Sequence, residues 1–231
     1  NHPERSNERP KERLNKWRNR VLLILSGALS TLAFAPVGWW WILPFTLAFL
    51  FHGWLMQTPR QAAQSGFLFG FGLFVTGVSW IYVSLKIYGN MPAVMAMVGV
   101  FLFVSVLSLF PMLAGYLQAH ANKLGRSCRL LLLIPAVWTV AEVLRGFVLT
   151  GFPWLNIGYS QTDGPLAGFA PLGGVVLTSF TTALIAGGLT LAYARRNLWP
   201  PLLIGLAVLL AVSFTAKHTP WTEPAGQEFT A

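Results

Sequence analysis

The chain has 231 residues, 55% of them hydrophobic and 10% charged, with a net charge of +9, one cysteine and a mean hydropathy of +0.58. A soluble domain usually carries about 25% charged residues, so an ordinary soluble enzyme is excluded, and a greasy soluble helical protein fits poorly because several blocks approach the ~20 apolar residues that cross a ~30 Å hydrocarbon core. The single cysteine excludes an intrachain disulfide, and positive charge gathered in a tail and short loops points to lipid headgroups rather than nucleic acid.

Residues 1–20 read as a basic cytoplasmic arm, with a surface helix over 11–20 that sets Trp17 at the headgroups. The first span is predicted over 21–35 and stops at Pro36. It could imitate a signal-peptide core, but more membrane follows, so it reads as a retained span. Gly38, Trp39, Trp40 and Trp41 then fall at an interface, where indoles keep the ring greasy and the N–H wet. A second span covers about 40–56, and 57–61 is a short turn. The third span, 62–85, holds Gly66 and Gly70, a small-xxx-small pair that lets another helix approach closely. After a turn at 86–92, the fourth span runs over 93–118 with a kink expected at Pro111. A basic loop fills 120–129, and the fifth span covers 130–149. The stretch 150–168 is too rich in Gly and Pro for a continuous helix and too aromatic for an idle connection. It reads as an irregular outer-face loop, partly re-entrant. The sixth and seventh spans cover 169–194 and 198–216, with Arg195 and Arg196 between them.

On this reading 13 of the 16 Lys and Arg residues fall on one side: seven in the arm, then Arg60, Lys123, Arg126, Arg129, Arg195 and Arg196. Lys86, Arg145 and Lys217 fall on the other. Such a bias marks the cytoplasmic side. The expected fold is therefore an all-α polytopic membrane protein with about seven transmembrane helices over 21–216, the N-terminus cytoplasmic and the C-terminus periplasmic. Residues 217–231 read as a periplasmic linker, and a further extracytoplasmic domain is expected beyond it. No inverted repeat is visible, which weakens a transporter reading.

Few residues here can carry chemistry. Cys128 sits between Arg126 and Arg129 with no His or carboxylate nearby and reads as a bystander. His2, His52, His120 and His218 have no partner at a ligand-like interval, so neither metal nor cofactor is expected. Glu142 and Arg145, three apart, share a face near the outer end of the fifth span. Ionisable residues within a span face protein or a water-filled cavity. The pair therefore either fixes the bundle internally or anchors the outer loop or a lipid phosphate. Trp154, Asn156, Tyr159, Gln161 and Asp163 offer flat apolar surface with donors and acceptors, suited to an amphiphile. Trp80, Tyr82 and Tyr88 offer the same at the end of the third span, although any membrane bundle also needs an interfacial aromatic rim. Asp163 has no nucleophile beside it. Composition and spacing thus reach a membrane domain with a polar-aromatic outer cavity, and no reaction.

The run R-G-F-V-L-T-G-F-P-W-L-N-I-G-Y-S-Q over 145–161 resembles the membrane domain of bacterial apolipoprotein N-acyltransferase. So do T-L-A-F-A-P over 31–36 and G-V-S-W-I-Y-V-S over 77–84, followed by Gly89. The resemblance implies an inner-membrane protein working at the periplasmic leaflet. It implies ping-pong transfer of an acyl chain from a phospholipid donor to a diacylated apolipoprotein acceptor, through a thioester in a Glu-Lys-Cys triad. That triad belongs to a nitrilase-like domain that would follow the seventh span, with an eighth span after it. No position here matches the triad, so this chain alone is expected to be inactive, without a cofactor and monomeric. The resemblance assigns substrate contact to Trp154, with Tyr159 and Arg145 as companions. Glu142, Asn156, Gln161, Trp80 and Tyr82 complete the candidate set. The competing classes are a small-molecule or lipid transporter, which needs a midplane cavity, and a purely structural anchor.

Overall fold

The structure is a computed structural model that describes residues 10–121 and 123–222, with side chains from Asn15 onward. The start of the basic arm and the end of the predicted linker lie outside the described residues. Within them the fold is all-α: α1 (Pro10–Ser30), α2 (Ile42–Leu55), α3 (Pro59–Gly77), α4 (Trp80–Tyr88), α5 (Ala93–His120), α6 (Arg126–Arg145), α7 (Ala170–Ala194) and α8 (Trp199–His218). Four of these, α5, α6, α7 and α8, are long and apolar enough to cross a membrane, and α3 with α4 makes a fifth if the bent pair counts as one span.

Two predicted spans differ in kind. α1 joins the expected surface helix and the first span into one helix, so Lys16, Arg18 and Arg20 stand on the same rod as Leu22, Leu25 and Leu29. α2 has only 14 residues, about 21 Å at 1.5 Å per residue, short of a full hydrocarbon core.

Small residues set the helix spacing. A Cβ on Gly66 would strike the Pro111 carbonyl, and one on Gly115 would strike the Ala62 carbonyl, so α3 and α5 touch backbone to backbone. α1 and α3 do the same, with Gly27 against Phe69 and Gly72 against Ile24. The Gly66–Gly70 pair is thus the contact surface expected of it. α5 continues through Pro111, which is buried where the two helices meet. Gly187 of α7 meets the Leu130 backbone of α6 in the same way.

Aromatic packing fills the middle of the bundle. Trp138 lies 6.1 Å from Phe51, 6.2 Å from Trp54 and 6.1 Å from Phe69, ring centre to ring centre. Trp54 uses its indole N–H on the Ala62 carbonyl at 3.0 Å, as a buried indole must. Hydroxyls link the remaining helices: Ser30 to Thr46 at 2.7 Å, and Thr190 to the Ala48 carbonyl at 3.2 Å. The predicted turn at 57–61 is a capping box, Thr58 and Gln61 bonding each other's backbone with Pro59 opening α3.

These antiparallel contacts gather the starts of α3, α6 and α8 and the ends of α5 and α7 at one end of the bundle. There Arg60, Lys123, Arg126, Arg195 and Arg196 are exposed, and Arg129 bonds Gln118 at 2.8 Å, tying α5 to α6. The opposite end carries Trp80 and Trp154.

Candidate functional site

The third predicted span is bent rather than straight: α3 and α4 meet at 50°. The hydroxyl of Thr76 bonds back to the Gly72 and Leu73 carbonyls, and that of Ser79 to the Thr76 carbonyl. Such back-bonding bends helices. The crook is occupied: a Cβ on Gly77 would strike the Leu155 side chain. So the F-P-W-L segment is seated against the joint between α3 and α4.

α6 stops at Arg145, four residues short of the predicted end of the fifth span. Leu149, Thr150 and Gly151 all have positive φ (52°, 73° and 81°), which no helix can continue. The chain therefore doubles back over the helix end, and Phe152 N–H bonds the Arg145 carbonyl at 2.9 Å. Beyond it the loop contains short 3-10 turns, Ile157–Gln161 and Ala167–Phe169, matching the expected irregular backbone over 150–168.

Glu142 and Arg145 nail this loop down. Both are buried, and they bond the loop and, through Glu142, Trp138 of the same helix rather than each other. Glu142 Oε1 accepts from Ile157 N–H at 2.9 Å and from Trp138 Nε1–H at 3.1 Å. Arg145 Nη2 donates to Asn156 Oδ1 at 2.6 Å. The guanidinium also lies over the Phe74 ring at 4.7 Å, a cation–π contact. Ser179 of α7, near Glu142, accepts from Gly158 N–H at 2.9 Å. The arrangement combines two sequence expectations, an internal polar pair and an anchor for the loop. The cavity beside the pair is about 10 Å³ and is lined by Phe74, Pro111, Trp138, Glu142, Arg145 and Leu155 among others. That is about the smallest space a water can occupy.

The aromatic part faces outward. Trp80 and Trp154 are 47% and 56% exposed, and their rings are 6.2 Å apart. Phe152 stacks on Trp154 at 6.0 Å and meets Phe103 of α5 edge-on at 5.0 Å. The result is an apolar wall built from α4, α5 and the loop. The rest of the candidate set disperses. Tyr82 lies under Lys86 at 5.9 Å, and Tyr159 is exposed on the Ile157–Gln161 turn. Gln161 is buried and donates to Ser160 at 3.2 Å, bracing the turn. Sequence reading missed Trp138, Phe103, Phe152 and Ile157. Trp138 had a visible signal, standing one helical turn before Glu142; Ile157 acts through its backbone and gave none. Among the described residues no group of His, Cys, Asp or Glu could hold a metal.

Residues 26–188 match the family model described as the apolipoprotein N-acyltransferase N-terminal domain. The chain belongs to that family. Relatives described as apolipoprotein N-acyltransferase include a protein of Ralstonia nicotianae, 44% identical over 214 residues, covering 90% of this chain and 40% of the relative. One of Methylococcus capsulatus is 44% identical over 208 residues, covering 89% and 41%, and one of Coxiella burnetii is 38% identical over 212, covering 90% and 44%. The chain thus spans about two fifths of the length of the relatives it matches. Family membership and the apolar helices together make it a polytopic inner-membrane protein. It corresponds to the N-terminal, non-catalytic part of these larger acyltransferases.

Proposed function

We propose that this chain is the membrane domain of a phospholipid-dependent apolipoprotein N-acyltransferase and that its Trp80–Trp154 wall receives the lipid. In the whole protein, a thiolate of a nitrilase-like domain outside this chain would displace lysophospholipid from the donor ester and form a thioester. The α-amino group of a diacylglyceryl-cysteine would then displace the thiolate and form the amide. This chain supplies no catalytic residue to either step. It anchors that domain through the segment after α8 and admits lipid sideways. Holding ester and thiolate in register converts an encounter in the bilayer into an oriented one, which can remove about 7–11 kcal/mol of barrier.

The observation that carries this reading is a pair of half-exposed indoles on two separate elements, backed by a buried polar network that sets their spacing. Trp154 and Trp80 touch the acyl chain. Glu142, Arg145 and Asn156 position the loop that carries Trp154. Tyr82, half-buried, and Tyr159, exposed, lie outside the wall, and Gln161 braces the turn that carries Tyr159. The wall works in the periplasmic leaflet, with the arm cytoplasmic and about seven crossings; the clustering of exposed basic residues at the other end supports this orientation. A transporter reading could draw on the α3–α4 bend and the break in α7 at Gly173 and Gly174. The cavity beside Glu142 and Arg145, about 10 Å³, leaves no room there for a transported solute.

Trp154→Ala in the whole enzyme is expected to leave the unfolding temperature unchanged, because the ring is half exposed, and to lower phospholipid use at least tenfold, about 1.4 kcal/mol. Acyl transfer to a diacylated lipopeptide, measured beside thermal unfolding, checks both. Parent-level transfer would remove Trp154 from the site.

A further inference from the structure

A much larger cavity than the one beside Glu142 and Arg145 lies at the other end of the molecule. It holds about 480 Å³ between α7 and α8 and is lined by Gly188, Leu189 and Ala192 of α7, Leu131 of α6, and Trp199 and Leu209 of α8 among others, every one apolar. α8 is pinned at its far end. There the Ser213 hydroxyl donates to the Pro165 carbonyl at 2.8 Å and accepts from Gly168 N–H at 3.1 Å. Towards its start the helix stands away from α7, and only 6% of its apolar window is buried. The lining on α8 runs from Trp199 to Leu209, about 15 Å of helix, which is one leaflet's share of a ~30 Å core. At the end where α7 turns into α8, Arg195 and Arg196 are exposed beside Trp199.

The geometry points to a binding site for one net-anionic glycerophospholipid, its acyl chain in the α7–α8 groove and its phosphate at Arg195 and Arg196. An apolar slot one leaflet deep, with an interfacial indole on its lining and two exposed arginines three and four residues before that indole, complements that molecule in shape and charge. The site is separate from the Trp80–Trp154 wall and its lipid is held rather than consumed. It seats α8, the helix that leads into the linker, against the rest of the bundle.

The test is native mass spectrometry of the full chain titrated with phosphatidylglycerol or phosphatidylcholine of the same acyl composition. Each basic side chain near a headgroup contributes a factor of about five, so phosphatidylglycerol should bind about 30-fold more tightly. The variant R195Q/R196Q should abolish that preference while still binding either lipid. Gly205 lines the groove and has open space at its Cβ position, so Gly205→Trp should fill the slot, leave thermal unfolding in place and remove one bound lipid of either class. Equal binding of the two lipids, a preference that survives R195Q/R196Q, unchanged stoichiometry in Gly205→Trp, or a groove closed by a second copy and carrying no lipid would each overturn the proposal.

Discussion

Glu142→Leu is expected to be the most damaging single change in the membrane domain. Leucine fills the space but leaves Ile157 N–H and Trp138 Nε1–H without their shared acceptor, and it leaves the buried guanidinium of Arg145 without its nearby opposite charge. Removing one member of a buried charged pair costs about 3–5 kcal/mol. The loss should fall first on the loop, because Glu142 and Arg145 are what fasten it at Asn156 and Ile157. Unfolding in detergent should shift down sharply, and limited proteolysis should cut within 147–165 in the variant before it cuts anywhere in the parent. Glu142→Gln keeps an acceptor oxygen and should cost markedly less. If Leu and Gln behave alike, the hydrogen bonds are not what hold the loop.

Gly66→Val should be nearly as damaging for a different reason. The added Cβ falls on the Pro111 carbonyl carbon and oxygen and within 3.2 Å of the Met112 Cα. These are backbone atoms of a helix and cannot swing aside, so α3 and α5 must separate along their whole contact. Overpacking costs about 1–3 kcal/mol, the struck backbone atoms put this case at the upper end, and Gly66→Ala already carries most of it. Gly205→Ala is the control, because nothing stands within 4 Å of its Cβ position. Yields of folded protein from membranes, with thermal unfolding of what is recovered, should rank Gly205→Ala with the parent and both Gly66 variants far below. Stable Gly66→Val would mean that the close approach is not required.

What the sequence revealed and what it hid follow from where the information lies. α5, α7 and α8 were legible because long apolar runs end at Pro, Gly or basic residues, and those signals are local. The end of α6 was not. The chain turns back through Leu149 and Thr150 in the left-handed region, and neither residue type advertises that conformation. The bend between α3 and α4 was hidden for a similar reason, since Thr76 and Ser79 are ordinary in membrane helices until their hydroxyls back-bond. Spacing put Glu142 and Arg145 on one face, yet their partners, a backbone N–H at Ile157 and the amide of Asn156, depend on how the loop folds back. Trp154 stood out within its motif. Its pairing with Trp80, 74 residues earlier in the chain, depends on the bend that no local pattern announces.

The central claim is that the Trp80–Trp154 wall is a lipid-receiving surface and not merely part of an interfacial rim. Photocrosslinking tests it most directly. A benzoylphenylalanine is placed at Trp154 and, for comparison, at Phe214, which is 67% exposed on α8, in the whole enzyme in native membranes. Stronger crosslinking to phospholipid is expected at 154 than at 214, with displacement of the 154 product alone by a diacylated lipopeptide. Equal yields at the two positions, both indifferent to the lipopeptide, would contradict it.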